Sequence, residues 1–255
     1  MTSVVLAAID ECEAANTVLG AASGLARAFD ATVEAFHVRA LEHPPATGPA
    51  RDAGVPIVVV DGDPATQILR ALTDPAVTLG VIATRNSGRD DRLAGGTARR
   101  VLEQGLRPVV VVRPGMRPRR LHRALVPLDG TRASSAALTE PLRLLSATGM
   151  ELCGLHVFEP DRVPNFWRES IHARKSTAAE CSAIACRQPM LDLRLRSGDP
   201  IATTLAAATE DVDLLVLVWR RELDDPGAEL VRAALRHSPV PVLLVPEGRR
   251  RRGEG

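Results

Sequence analysis

One segment of the 255-residue sequence carries residue types suited to binding a phosphate group. Residues 83–97 read ATRNSGRDDRLAGGT, and a helical pattern over residues 98–103 follows directly. Gly95 and Gly96 let a backbone come close to an oxygen ligand, and the Thr97 hydroxyl donates a hydrogen bond. The unpaired amides and the dipole at a helix start favour an anion. A Gly-Gly-Thr sequence also suits an ordinary helix-capping turn, so the spacing alone leaves both interpretations open.

Signatures of common catalytic sites are missing from the sequence. The single lysine, Lys175, is far from any glycine-rich turn, which excludes a P-loop ATPase. No GxSxG, HExxH or GxGxxG sequence occurs, and the six histidines lack the spacing of metal ligands. We therefore expect no catalytic residues, no metal site and no enzyme, although slow incidental ATP hydrolysis is compatible with this expectation.

Short apolar strands alternate with amphipathic helical segments along the chain. Residues 4–9 and 124–128 lack polar alternation, as strands buried on both faces do. In the helical segment after the first strand, Val18, Ala22 and Leu25 form one inward stripe. The pattern predicts an α/β protein with two tandem doubly wound parallel sheets of the Rossmann-like kind.

The two halves of the chain repeat one another. Asp10 and Asp129 end equivalent strands 119 residues apart, and His37 and His156 have the same separation. Because these histidines fall on repeat-equivalent strands, packing or satisfied hydrogen bonds are favoured for them over catalysis.

A second pair of equivalent motifs shows where the halves differ in length. Residues 62–64 and 198–200 both read Gly-Asp-Pro, and each aspartate is expected to cap a helix that begins at the proline. The second half has gained 17 residues before this motif, because the motifs lie 136 rather than 119 residues apart. We expect a helix over residues 169–187 there, whereas residues 44–56 of the first half are rich in proline and glycine and are expected to form a loop without a crossover helix.

The order of these motifs resembles the universal stress protein family. The motifs are the strand ending in Asp10, the His-Val strand end, the Gly-Asp-Pro motif, the long loop into Gly-Thr and the final Pro-Val strand. The resemblance occurs twice and covers nearly the whole chain. Nucleotide-binding members carry Gly-x2-Gly-x9-Gly-Ser/Thr, which cradles the phosphates of ATP. The matching positions here are Ala83, Asn86, Gly96 and Thr97, with both spacings intact. Asn86 tolerates a left-handed backbone in place of glycine, whereas the Ala83 methyl group crowds a ligand.

The resemblance also implies roles for two residues at strand ends. Asp10 would contact the ribose or adenine side of a nucleotide, and Val38 would hold adenine through its backbone. A turn cap after the first strand is the alternative for Asp10. In the second half the loop over residues 218–230 is shorter and acidic, and Glu229 falls where Gly96 was, so this half should not bind ATP in the same way.

The resemblance predicts a cytoplasmic regulatory protein of the stress response, with ATP or a related adenine nucleotide in the first half. The alternative is a scaffold that binds no nucleotide and acts on an unknown protein partner. We expect domains over residues 1–114 and 122–247, a linker over 115–121 and a basic tail over 248–255. The final strands of the halves are expected to pair as an intrachain pseudo-dimer, and further association into a homodimer stays open.

Composition supports a globular protein outside membranes and away from nucleic acid. The formal net charge is +1, and two Trp, four Phe and no Tyr leave few rings to stack on bases. No apolar run approaches the roughly 20 residues of a membrane-spanning helix. The four cysteines are expected to be reduced thiols, because their spacing suits neither disulfides nor a metal knuckle.

Overall fold

The fold is seen in a computed structural model that describes residues 3–10, 14–39, 47–84, 96–117, 120–158 and 191–247. Ten strands of these residues form one continuous sheet. They are β1 (Val4–Ile9), β2 (Thr32–Arg39), β3 (Ile57–Asp61), β4 (Val77–Ala83), β5 (Val109–Val112), β6 (Arg123–Pro127), β7 (Glu151–Phe158), β8 (Asp192–Ser197), β9 (Leu214–Trp219) and β10 (Val242–Pro246). The order across the sheet is β3-β2-β1-β4-β5-β10-β9-β6-β7-β8.

Helices connect the strands in the alternating order expected from the sequence. They are α1 (Ala14–Ala28), α2 (Gly48–Asp52), α3 (Pro64–Ala71), α4 (Gly96–Gln104), α5 (Arg132–Ala147), α6 (Pro200–Ala207) and α7 (Glu229–His237), with a 3-10 turn over Pro226–Ala228. Neighbouring strands within each half are parallel. The predicted α/β class with two doubly wound halves is confirmed.

The halves meet where β5 and β10 pair in antiparallel fashion, with Val110 opposite Leu243. Both side chains are at most 2% exposed. This is the edge-to-edge pairing of final strands that the family resemblance implied. Because β5 and β10 run in opposite directions, the carboxyl ends of the two sets of parallel strands lie at opposite edges of the sheet. The domain boundaries stay a prediction, since the sheet runs through both halves.

Helix α1 covers the first half of the sheet with the stripe expected from its spacing. Val18, Ala22 and Leu25 are each at most 1% exposed and belong to one apolar core with residues from both halves. In the second half, α5 continues to Ala147 although it contains Pro141. Burial of such side chains contributes about 25 cal/mol per Å² of apolar surface removed from water.

The connection between β2 and β3 contains a short helix, α2. The sequence analysis expected a loop throughout residues 44–56, and this expectation was wrong for the residues of α2. Pro49 lies in the first turn of α2, where its missing amide costs no hydrogen bond. The Ala50 side chain is fully buried, and this burial stabilises a helix of only five residues. The helix expected over residues 169–187 lies outside the described residues.

Two aspartates cap helices as the Gly-Asp-Pro motifs predicted. The Asp63 carboxylate accepts a hydrogen bond from the Thr66 amide at the start of α3, and the Asp199 carboxylate accepts one from the Ala202 amide at the start of α6. Each preceding glycine has a positive φ, 128° at Gly62 and 148° at Gly198, which only glycine adopts readily. The motif is therefore a strand-to-helix turn in both halves.

Candidate functional site

The carboxyl ends of three adjacent parallel strands bring three of the predicted site residues, Asp10, Val38 and Ala83, to the same side of the sheet. Strand β1 lies between β2 and β4. Ile9 is paired with His37, so Asp10 follows β1 at the level of Val38 in β2. Ala7 is paired with Val81, and the same register carried two residues further puts Ala83 level with Ile9. Ligands of open parallel sheets bind at such strand ends.

The predicted residues at the strand ends are alike in how open they are to solvent. Asp10, Val38 and Ala83 are all half-buried. Ala83 is the last residue of β4 and is paired with Val112 of β5. Asn86, the fourth predicted residue of this group, lies outside the described residues.

Repeat-equivalent histidines bind the strand ends of the two halves, and His37 is the one next to the candidate site. The His37 Nδ1–H donates to the carbonyl oxygen of Ile9 across 3.1 Å. The His156 Nδ1–H donates to the carbonyl oxygen of Leu128 across 2.7 Å. Each carbonyl belongs to the residue before the strand-end aspartate. The expectation of satisfied hydrogen bonds for these histidines is confirmed.

Helix α4 begins two residues earlier than the sequence indicated, so Gly96 and Thr97 are its first helical residues. Both are exposed. A Cβ atom built on Gly96 would meet nothing within 4 Å, so the space beside this residue is open. The first amides of a helix have no partner within the helix.

The equivalent positions of the second half have different partners. The Asp129 carboxylate accepts hydrogen bonds from the Thr131 amide and the Ser134 hydroxyl, so it closes the turn before α5, whose N-terminal cap is Thr131. Helix α7 begins at Glu229, 133 residues after Gly96, and it ends 133 residues after the end of α4. The two helices therefore match residue for residue, and Glu229 is the residue of α7 that is equivalent to Gly96 of α4.

An ion pair borders the edge next to Val38. Both oxygens of the Asp61 carboxylate accept hydrogen bonds from Arg39, each across 2.7 Å. This contact lowers the pKa of Asp61, and it joins the carboxyl ends of β2 and β3. Both side chains are about half exposed, so the pair contributes little to stability.

A second ion pair ties α4 to α3 within the first half. The Arg100 Nη1 donates to both oxygens of Asp63 across 2.9 Å, and its Nη2 donates to the Thr66 hydroxyl across 3.4 Å. Hydrogen bonds from the Thr66 hydroxyl and amide, and then from Arg100, lower the pKa of Asp63 to about 2. Sequence reasoning found the cap but missed Arg100, because no local pattern links residues 37 positions apart.

The Asp63 contacts predict a pH-dependent stability. The lowered pKa favours the ionised form in the folded protein, so the stabilisation is present above about pH 4 and is lost as the pH falls toward about 2. We expect Asp63→Asn to lower the free energy of unfolding at pH 7 and to differ progressively less from the unchanged protein as the pH falls below 4. Urea unfolding monitored by circular dichroism between pH 2 and 7 measures the difference.

The matched control for this prediction is Asp199→Asn, which alters the equivalent cap. The positions equivalent to Thr66 and Arg100 are Ala202 and Ala233, which have no side-chain donors. We expect a smaller pH dependence for this variant. An Asp63→Asn effect that stays constant from pH 7 to pH 2 would contradict the assignment.

Contacts from the second half also reach α4. The Arg99 Nη2 donates to the Asp224 carboxylate across 2.5 Å and pairs with Glu103 across 3.1 Å. Glu103 accepts a hydrogen bond from the Leu223 amide across 3.3 Å. The two contacts between the halves, Arg99 with Asp224 and Glu103 with Leu223, could not be expected from the sequence, because their partners are more than 100 residues apart.

The described residues contain neither a metal-binding cluster nor a membrane-spanning helix. No cluster of three or more His, Cys, Asp or Glu side chains suited to a metal ion was found within the described ranges. Among the helices seen in the structure, none has both the length and the apolar character needed to cross a membrane.

Known proteins share this architecture. A model described as the Universal stress protein family matches residues 120–246. A universal stress protein of Archaeoglobus fulgidus aligns with 96% of this chain and 98% of its own, with a TM-score of 0.70 and 19% identity. A functionally unknown protein of Pseudomonas aeruginosa aligns with 96% of this chain and 93% of its own, with a TM-score of 0.69 and 12% identity. No curated protein matches the chain.

The doubled, doubly wound sheet with strand ends facing helix starts defines a protein of the Rossmann-like α/β class. Within this class, the chain belongs to the universal stress protein family through the domain that fills its second half. Its first half has the same order of strands, counted outward from the β5–β10 junction.

Proposed function

We propose that this protein is a cytoplasmic regulator of a stress response whose first half binds ATP or a related adenine nucleotide. The phosphates would bind at the start of α4, to its free amides and the Thr97 hydroxyl. Asp10 and Val38 would contact the ribose and adenine, with Ala83 and Asn86 completing the loop. Occupancy by the nucleotide would be the signal, and hydrolysis would be slow and incidental because no catalytic group is assigned.

One contrast between the halves supports this proposal most strongly. Gly96 leaves the exposed start of α4 open, whereas the equivalent start of α7 carries the Glu229 side chain. A carboxylate in the first turn of a helix supplies the negative charge that the dipole favours. The second half thus provides its own anion at this position, and the first half has room for a bound one.

The alternative is a scaffold that acts through contacts with another protein. The Ala83 methyl group at the end of β4 favours this reading, because the family motif has glycine there. Under this alternative the second half, which departs most from the nucleotide-binding pattern, would provide the surface for the partner.

Release of bound ligand distinguishes the two functions. The protein is purified rapidly, denatured, and the supernatant is analysed for adenine nucleotides by chromatography; labelled ATP is then added to the purified protein in equilibrium dialysis. We expect saturable binding at millimolar ATP or below, with one site per chain. The absence of binding at millimolar ATP would eliminate the nucleotide proposal and favour the scaffold.

A further inference from the structure

The loop between β9 and α7, residues 220–228, contacts the first half of the protein at α4. We call it the bridging loop. Its Asp224 side chain pairs with Arg99, and its Leu223 amide donates to Glu103. Both partners lie on α4, so the second half holds the helix whose amino end carries the proposed phosphate site.

The bridging loop is held in place by a buried side chain and by hydrogen bonds. The Leu223 side chain is 2% exposed and belongs to the apolar core that contains Val101 of α4 and Val231 of α7. Arg232 donates from Nη1 to the carbonyl oxygens of Leu223 and Asp225, across 2.7 and 2.8 Å. A loop with a buried side chain and two hydrogen-bonded carbonyl oxygens can hold a partner helix in place.

The contacts are different at equivalent arginines of the two halves. Arg99 and Arg232 occupy the same position of the repeat, the fourth residue of α4 and of α7. Both guanidinium groups nevertheless bind the bridging loop, Arg99 through a carboxylate and Arg232 through carbonyl oxygens. The last helices of both halves, α4 and α7, therefore both bind the bridging loop.

Helix α4 is thereby held on two sides. Arg100 ties it to the start of α3 in its own half, and Arg99 with Glu103 ties it to the bridging loop. A helix of nine residues is about 13 Å long and moves largely as a rigid body, so a shift at Glu103 also moves Gly96. Hydrogen bonds to a phosphate tolerate only a few tenths of an ångström.

We propose that the bridging loop is a positioning element for the first-half site: Asp224 and Leu223 hold α4 where its amino end meets the nucleotide phosphates. This inference rests on the proposed nucleotide function for its effect on affinity. The positioning of α4 itself does not depend on any ligand. By the reciprocity of linked equilibria, nucleotide bound in the first half would also protect the bridging loop.

The test compares Asp224→Asn with the unchanged protein in two measurements. Because the Arg99 and Asp224 side chains are 42% and 83% exposed, the effect is limited, and in equilibrium dialysis with labelled ATP we expect the variant to bind about two- to fivefold more weakly. In hydrogen exchange without ligand, amides of α4 should exchange faster in the variant while those of α6 are unchanged. Asp224→Glu keeps the charge and should restore both properties, which a general loss of stability would not allow.

The matched control is Asp211→Asn, which removes an exposed carboxylate that pairs with Arg123 instead of α4. It should change neither ATP affinity nor exchange in α4. If the unchanged protein binds no ATP, the proposed function fails and hydrogen exchange alone decides the positioning role. Equal exchange in α4 for Asp224→Asn and the unchanged protein would overturn the inference, whatever the protein binds.

Discussion

Val110→Asp is expected to lower the free energy of unfolding by about 4 kcal/mol or more. Val110 is fully buried at the centre of the ten-stranded sheet and is paired with Leu243 across the junction between the halves. A carboxylate placed there loses its hydration and gains no partner of opposite charge among the apolar side chains that surround it. Guanidinium unfolding followed by circular dichroism measures the loss.

Two further variants keep this prediction testable if Val110→Asp does not fold. Leu243→Ala removes the opposing side chain, which is 2% exposed, and should cost about 2–5 kcal/mol. Val58→Asp places the same carboxylate on β3 at the outer edge of the sheet, where the valine is 37% exposed, and should cost far less. Equal losses for Val110→Asp and Val58→Asp would mean that the junction does not hold the halves together.

Gly96→Glu is expected to weaken the affinity for ATP by roughly 100-fold or more without destabilising the fold. The substitution gives α4 the residue with which α7 begins. Its side chain enters open space, because a Cβ atom at Gly96 meets nothing within 4 Å. A glutamate in the first turn suits the helix dipole, yet it repels the phosphates proposed to bind there. Equilibrium dialysis with labelled ATP and thermal unfolding measure the two effects.

The controls for Gly96→Glu separate charge from bulk and one half from the other. Gly96→Gln has the same size without the charge and should weaken binding less. Glu229→Gln changes the equivalent position of the second half and should leave ATP affinity unchanged. Loss of binding in Glu229→Gln, with retention in Gly96→Glu, would show that the second half contains the nucleotide site.

The strands and their parallel order could be predicted because the signals are local. Most strands are short apolar runs between turn residues, and the repeat places equivalent runs in both halves. Strand β8, which reads DLRLRS at the outer edge of the sheet, is an exception. The pairing of β5 with β10 is different, since a run of valines has no preference for a particular neighbour. That expectation came from the family resemblance, and the structure confirmed it.

Helix α2 was missed because its stability comes from tertiary packing. The segment around it is rich in proline and glycine, which ordinarily indicates a loop. Burial of Ala50 and the position of Pro49 in the first turn outweigh that composition. A propensity argument contains neither effect, because both depend on where the segment lies against the rest of the protein.

The helix starts next to the candidate site could be predicted from the sequence, whereas the contacts that hold them could not. Spacing placed Gly96 and Thr97 directly before a helix, close to where α4 begins, and the Asp-Pro sequence indicated the Asp63 cap. The Arg99–Asp224 contact joins residues 125 positions apart. The repeat was no guide to it, because Arg232 at the equivalent position binds carbonyl oxygens instead of a carboxylate.

The junction of β5 with β10 also affects how the protein responds to dilution. The two strands belong to one chain, and the connection from the end of β5 at Val112 to the start of β6 at Arg123 is short. Their association is intramolecular, with an effective concentration in the millimolar range typical of short tethers. The paired halves therefore persist at the lowest cellular copy numbers, at which separate subunits joined through the same strands would come apart. Each half can then change its surface without losing the other.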